Sequence, residues 1–166
     1  MFNRTSRGFT LIELLVVIVI IGLLAGIGIA SFQGSLVNAR TAKRISDLKE
    51  INNALKRYYL DHGSYPVSGG GTGVWDGLYS NWGDSTPVWI PGLVPDYLEL
   101  LPRDPRNHTD ASQQYIYRSD NGKSYKLLSH VPENCSQVVL AHPELADPVR
   151  VCWAYGYATP DVIATY

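Results

Sequence analysis

The feature that most constrains this chain is a run of nineteen residues, Leu14 to Phe32, whose only polar member is Ser31. Such a run matches the length needed to cross a bilayer core as a helix, roughly 20 residues. Arg4 and Arg7 precede it and no acidic residue does until Glu13, so the N-terminus is expected to stay on the cytoplasmic side. A cleaved secretory signal has an apolar core of only about 7–15 residues before a small-residue cut site. Ala25 and Ala30 are small, but the run is too long for that reading, and an anchoring helix is expected.

Glu13 stands at the front of the run. A carboxylate at the bilayer centre costs about 2.5–3.5 kcal/mol on insertion scales. Two readings are open. Either Glu13 is an interfacial acid favoured by the positive end of its own helix, or it needs a cation inside the membrane. No Lys or Arg lies between Glu13 and Arg40, so that cation must come from another chain or from an amine newly made by cleavage upstream.

Arg7-Gly8-Phe9-Thr10-Leu11-Ile12-Glu13-Leu14, followed by the apolar run, resembles the signature of type IV prepilins, which the pseudopilins of type II secretion share. The resemblance is specific from Arg7 to about Phe32, fades toward Asp61 and is architectural beyond it. It implies a leader over residues 1–8, a peptidase cut between Gly8 and Phe9, N-methylation of Phe9, and pairing of Glu13 with the Phe9 ammonium of a neighbouring subunit. A paired buried charge is tolerable where an unpaired one is strongly destabilising, so Glu13 would set the register of polymerisation. Many type IV pilins carry a helix-interrupting proline near the position of Ala30. This chain has Gly22, Gly26 and Gly28 and no proline before Pro66, so softening rather than a sharp kink is expected. Gly22-x-x-x-Gly26 suits close helix packing in lipid, though glycine is common in membrane helices anyway.

From Gln33 to Asp61 the pattern turns amphipathic: Ile45, Leu48, Ile51, Leu55 and Tyr58 or Tyr59 recur at three- and four-residue steps among charged residues. No breaker intervenes, so one helix is expected from about Thr10 to Leu60, roughly 75 Å long at the usual rise. His62-Gly63 with Pro66 ends it. The divisions are then 1–8 leader, 9–32 membrane and filament-core helix, 33–62 amphipathic continuation and 63–166 globular head.

Residues 67 to about 95 read as a loop containing Trp75, Trp82 and Trp89. These either pin the loop to the head or form an interaction surface, since long loops are often functional and Trp is enriched at interfaces. Gly69-Gly70-Gly71-Thr72-Gly73 lacks the Gly-Lys-Ser/Thr of a phosphate loop. Leu93–Leu101 suits a short helical turn. The following Leu101-Pro102-Arg103-Asp104-Pro105 resembles an element that precedes the sheet in major pseudopilins. Gln114–Arg118, then Asp120-Asn121-Gly122, then Ser124–Leu128 reads as a β-hairpin with an Asn-Gly turn. A third strand is expected in Val138–Ala141 or Val151–Tyr157. The helix stripe is the one long candidate to cover such a sheet. The fold class is therefore α+β, a long N-terminal helix packed on a small antiparallel sheet, which is the pilin arrangement.

Cys135 and Cys152 should pair if the head lies outside the cytoplasm, and a loop of that length contributes about 3 kcal/mol in the chain-entropy model. A catalytic thiol using His130 or His142 is the rival reading, with no nucleophile motif to support it. The four histidines, His62, His108, His130 and His142, show no His-Glu-x-x-His spacing, and Asp120-Asn121-Gly122 lacks the other oxygen ligands of a calcium loop. No cofactor and no metal ligand set is expected from the residues. Calcium enters only through the resemblance, because some major pseudopilins bind it near the C-terminus. Residues 63–166 hold eleven acidic and six basic residues, which disfavours nucleic acid as a partner.

The function expected is a non-enzymatic structural subunit of a type II secretion pseudopilus or type IV pilus. The alternative is a minor, tip-located pilin whose head binds a substrate, a surface or DNA. The partners implied by the resemblance are further copies of the chain in a helical filament, prepilin peptidase, an inner-membrane assembly platform, and minor pilins or pseudopilins. The expected location is the bacterial inner membrane, single-pass with a periplasmic head, and then the filament. The basic helix positions Arg40, Lys43 and Arg44 are expected to meet acidic heads of neighbours.

Overall fold

The computed structural model describes residues 8–79, 87–106 and 112–165, and the side chains of all of these except 27–31. The leader up to Arg7, Trp82 and the Asn107-His108-Thr109 stretch lie outside the described residues. One helix, α1, runs Leu11–His62, as the absence of any breaker predicts. Gly63 closes it with φ of 69° and its N–H on the Tyr59 carbonyl at 2.8 Å, the left-handed ending that only glycine adopts freely. By contacts the chain divides into a unit up to Asn38 and a unit from Ala39 onward.

The second unit holds a four-stranded antiparallel sheet in the order β1-β2-β3-β4: β1 Asp76–Gly77, β2 Tyr115–Arg118, β3 Lys126–His130 and β4 Ala154–Ala158. In register, Ile116 faces Leu128 and Leu128 faces Gly156. Side chains alternate across a strand, and the buried residues sort accordingly. Tyr115, Tyr117, Leu127 and Tyr155 join Leu48, Ile51, Ala54 and Leu55 of α1 in the main core. Ile116, Leu128 and Ala154 form a second cluster under Trp75. The stripe read from the sequence is therefore the layer that covers the sheet.

Two tyrosines of the sheet region tie it to the helix by their hydroxyls: Tyr115 donates to Asp47 Oδ2 at 3.0 Å and Tyr125 donates to Asn52 Oδ1. Tyr117 donates to the Pro66 carbonyl at 2.7 Å. Burial satisfied in this way specifies one docking of sheet on helix. At Gly156 the strands approach so closely that a Cβ would lie 2.0 Å from the Leu127 carbonyl oxygen, which excludes every other residue there.

Three expectations need correction. The hairpin exists and Gly122 takes φ of 72°, but Arg118 pairs with Lys126, so the connection runs over residues 119–125 and the second strand starts two residues later than Ser124. The Ser119 hydroxyl donates to the Ser124 carbonyl at 2.7 Å and organises that longer loop. Val138–Ala141 belongs to a helix, α2, Cys135–Ala141, with Val138 buried in the core, Val139 packed against it and Leu140 exposed. The third long strand is the other candidate, realised as Ala154–Ala158. Within the expected loop, Asp76–Gly77 adds a short edge strand that composition does not reveal. Leu93–Leu98 is a single turn, with the Tyr97 and Leu98 N–H groups on the Leu93 carbonyl, both at 3.2 Å.

Candidate functional site

The start of α1 has a specific geometry. Thr10 precedes the first helical residue, and its hydroxyl accepts from the Glu13 N–H at 3.3 Å. Glu13 Oε2 accepts from the Thr10 N–H at 2.8 Å and from its hydroxyl at 2.7 Å. This is a reciprocal capping box, two orphan N–H groups satisfied by side chains three residues apart. Of the two sequence readings of Glu13, the helix-terminus one describes the single chain. The anion sits where the helix dipole favours it. Gly8 and Phe9 directly upstream are exposed, Phe9 at 75%, so the backbone there is open to an enzyme.

Beyond the cap the first unit presents an apolar surface. Leu11, Ile12, Ile18, Ile21, Leu23 and Leu24 are all more than half exposed, Leu11 at 87%. Among the described residues no helix is long and apolar enough to cross a membrane, and side chains 27–31 of the apolar run fall outside that set.

Within the second unit the basic helix positions are already occupied. Arg44 is fully buried and grips Asp104 with two bonds, Nε to Oδ2 at 2.7 Å and Nη2 to Oδ1 at 3.0 Å. Its Nη1 donates to Glu133 Oε2 at 3.1 Å. Arg40 takes Glu133 bidentately at 2.9 and 2.7 Å, and Lys43 pairs with Asp47. The expectation that Arg44 reaches acidic heads of neighbours is therefore corrected, since it is closed inside its own head, while Arg40 and Lys43 meet Glu133 and Asp47 of their own chain. The sequence conceals this because Asp104 and Glu133 are 60 and 89 residues away from Arg44.

The cluster has a pH signature. Hydrogen bonding from Arg40, then from Arg44, pulls the Glu133 carboxyl down to about 2 from an ordinary value of 4.5, against a desolvation cost. A carboxyl depressed on folding contributes stability above its unfolded pKa and loses it as pH falls through the folded one. The melting temperature is expected to fall on acidification between about pH 4.5 and 2, and Glu133→Gln should flatten that slope. Thermal melts of both proteins across the window check this. Equal slopes would count against the cluster.

Cys135 and Cys152 are free thiols in the structure, one buried and one exposed. They are adjacent: the Cys135 thiol is raised to about 12, first by burial and then by its hydrogen bond with Cys152. Ser136 Oγ donates to Cys152 Sγ at 3.2 Å. A thiol held protonated is a poor nucleophile. Trp75 and Trp89 are buried, at 8% and 2% exposure, and pack inside the head. Among the described tryptophans the exposed one is Trp153, at 68%, which spacing alone did not single out.

No group of three or more His, Cys, Asp or Glu side chains is gathered among the described residues. Asp76 is held by the Gly69 and Gly70 N–H groups at 2.6 and 3.1 Å, Asp120 by Arg118 and by the Gly73 N–H at 2.9 Å, and Asp147 by Lys126 at 3.0 Å and Arg150 at 3.3 Å.

A long helix with a capped, exposed apolar start, joined to a four-stranded antiparallel head, defines a pilin-like subunit. Residues 3–29 match the prokaryotic N-terminal methylation motif. Residues 32–137 match the family described as type II secretion system, protein G. The chain belongs to that family. It is 36% identical over 136 residues to the type II secretion system core protein G of Escherichia coli, covering 77% of this chain and 83% of the relative. With the core protein G of Dickeya chrysanthemi it shares 40% identity over 132 residues, 79% and 80% of the two chains. A type IV major pilin protein of Neisseria gonorrhoeae is 36% identical over 72 residues, 43% of this chain and 44% of that one. No solved structure matches.

Proposed function

We propose that this chain is a structural, non-enzymatic subunit of a type II secretion pseudopilus, polymerised through its N-terminal helix. The observation that carries the reading is the capped start of α1, where Glu13 lies four residues beyond an exposed Gly8–Phe9 bond at the head of an apolar run. The chain is inserted in the inner membrane by residues 9–32 with its head in the periplasm. Prepilin peptidase hydrolyses the Gly8–Phe9 bond, and the new amine of Phe9 is methylated.

The cut changes the electrostatics of the helix start. An ammonium at a helix N-terminus is disfavoured by its own dipole, so the Phe9 amine gains by meeting an anion elsewhere. Glu13 of a neighbouring subunit is that anion. As the apolar surfaces bundle, the carboxylate leaves its own Thr10 cap for the neighbour's ammonium, and a charge that lipid would penalise becomes half of an ion pair. Addition of a subunit is thereby keyed to one register. The platform in the inner membrane and the minor pseudopilins act on this same processed end. In the oxidising periplasm the adjacent Cys135 and Cys152 join as a disulfide.

The intact mass of the mature, unreduced chain tests processing and pairing together. The expected mass is that of residues 9–166 with one added methyl and two hydrogens missing. A chain still carrying residues 1–8 in cells with active peptidase contradicts the processing step, and an unchanged hydrogen count contradicts the disulfide.

A further inference from the structure

The outer side of the sheet hides a cation. Lys126, at the start of β3, is fully buried. Its ammonium has three protons, and among the described residues it donates to Asp147 Oδ1 at 3.0 Å, the Ile163 carbonyl at 3.1 Å and the Thr165 carbonyl at 3.0 Å. Asp147 is buried as well. Its Oδ1 also accepts from the Val149 N–H at 2.9 Å, and its Oδ2 from Arg150 Nη1 at 3.3 Å.

One carboxylate and two main-chain carbonyls converging on a point are the donors that a hard divalent cation takes. Here the point is filled from within. The ammonium pairs with Asp147 and bonds the two carbonyls, and a second cation at the same place would meet its charge at contact distance. The cage also does a fastening job. Lys126 belongs to the sheet, Asp147 to the segment before β4, and Ile163 and Thr165 to the last turns of the chain. Just before those turns the chain is tied to the residue preceding β3 by the Thr159 N–H on the Tyr125 carbonyl, at 3.0 Å, and the Tyr125 N–H on the Thr159 hydroxyl, at 3.2 Å.

We propose that the Lys126 ammonium is the built-in cation of this head: it takes the place of a bound divalent metal in fastening the C-terminal turns, and the head folds without calcium. The inference is independent of the filament reading, since it concerns the folding of the head alone.

Removing the ammonium takes from the buried Asp147 the closer of its two cations and leaves Arg150 at 3.3 Å, and breaking a buried pair from one side is one of the costlier changes a core can suffer. The test uses the full chain in detergent micelles, melted in calcium and in chelator. The wild type is expected to melt at the same temperature in both, with no saturable heat on calcium titration. Lys126→Gln is expected to melt about 10 °C lower or more in either buffer, with faster amide exchange at residues 162–165. A wild-type melting point that rises saturably with calcium overturns the proposal, as does a Lys126→Gln chain that melts with the wild type. The calcium comparison needs no variant, so the proposal can be refuted even if Lys126→Gln does not fold.

Discussion

Arg44→Ala is expected to destabilise the head by about 3–5 kcal/mol, the cost of breaking a buried ion pair from one side. The guanidinium has no exposure and Asp104 very little, so neither can turn to water once its partner is gone. Glu133 loses one of its two nearest cations at the same time. The size of the loss reflects what is left behind rather than the net worth of the pair. Arg44→Met combined with Asp104→Leu should therefore recover most of the stability, since a packed apolar pair of similar volume is often neutral or better. Arg40→Ala, at a more exposed position that leaves Glu133 still bonded to Arg44, should cost far less. Urea unfolding of the full chain, followed by the near-ultraviolet signal of the buried tryptophans, measures all three. A loss for Arg44→Ala no larger than that for Arg40→Ala would show that the cluster does not lock helix to head.

Glu13→Ala is expected to lower filament yield by about a hundredfold or more, leaving an unpaired ammonium in each apolar contact at a cost of several kcal/mol. The same substitution also removes the capping box, so the two roles must be separated. Thr10→Ala deletes the cap while keeping the carboxylate. It should cost only about 1 kcal/mol of helix start and leave assembly near the wild-type level, with leader removal intact in both variants. Filament recovered by shearing, set against processed protein in the membrane fraction, reads the two side by side. If Thr10→Ala loses filament as fully as Glu13→Ala does, the carboxylate acts through its own helix and not through a neighbour.

What the sequence revealed depended on the range of the interaction. The helix was legible because its periodicity and its glycine stop are local, and Leu48, Ile51 and Leu55 fall where three- and four-residue steps place them. The strands β2 and β3 were legible from alternation, but their connection was not. Asn121-Gly122 carries a turn signal, yet the Ser119 hydroxyl and the docking of the Tyr65 N–H on the Gly122 carbonyl at 2.7 Å shape a longer loop. The Val138–Ala141 segment has strand propensity and became helix because tertiary packing outweighs so short a run.

The charged clusters were invisible for a different reason. Arg44 with Asp104 and Glu133, and Lys126 with Asp147 and the C-terminal carbonyls, are joined only by the folded chain, with nothing in local composition to mark them. Lys126 stands among tyrosine and leucine neighbours in the sequence and is fully buried in the fold. At the helix start the opposite holds. Thr10 and Glu13 stand three apart, within the same residues that carry the family signature, and the sequence placed Glu13 at the helix terminus without its Thr10 partner.

The central claim is that the processed chain polymerises through its helix. Electron microscopy of sheared material, from cells making this chain with an active prepilin peptidase, tests it most directly. The account predicts filaments built of chains that begin at Phe9, and none from the Glu13→Ala chain despite normal processing. Fully processed wild-type protein that stays dispersed as monomer in the membrane, with no filament at any level of expression, contradicts it.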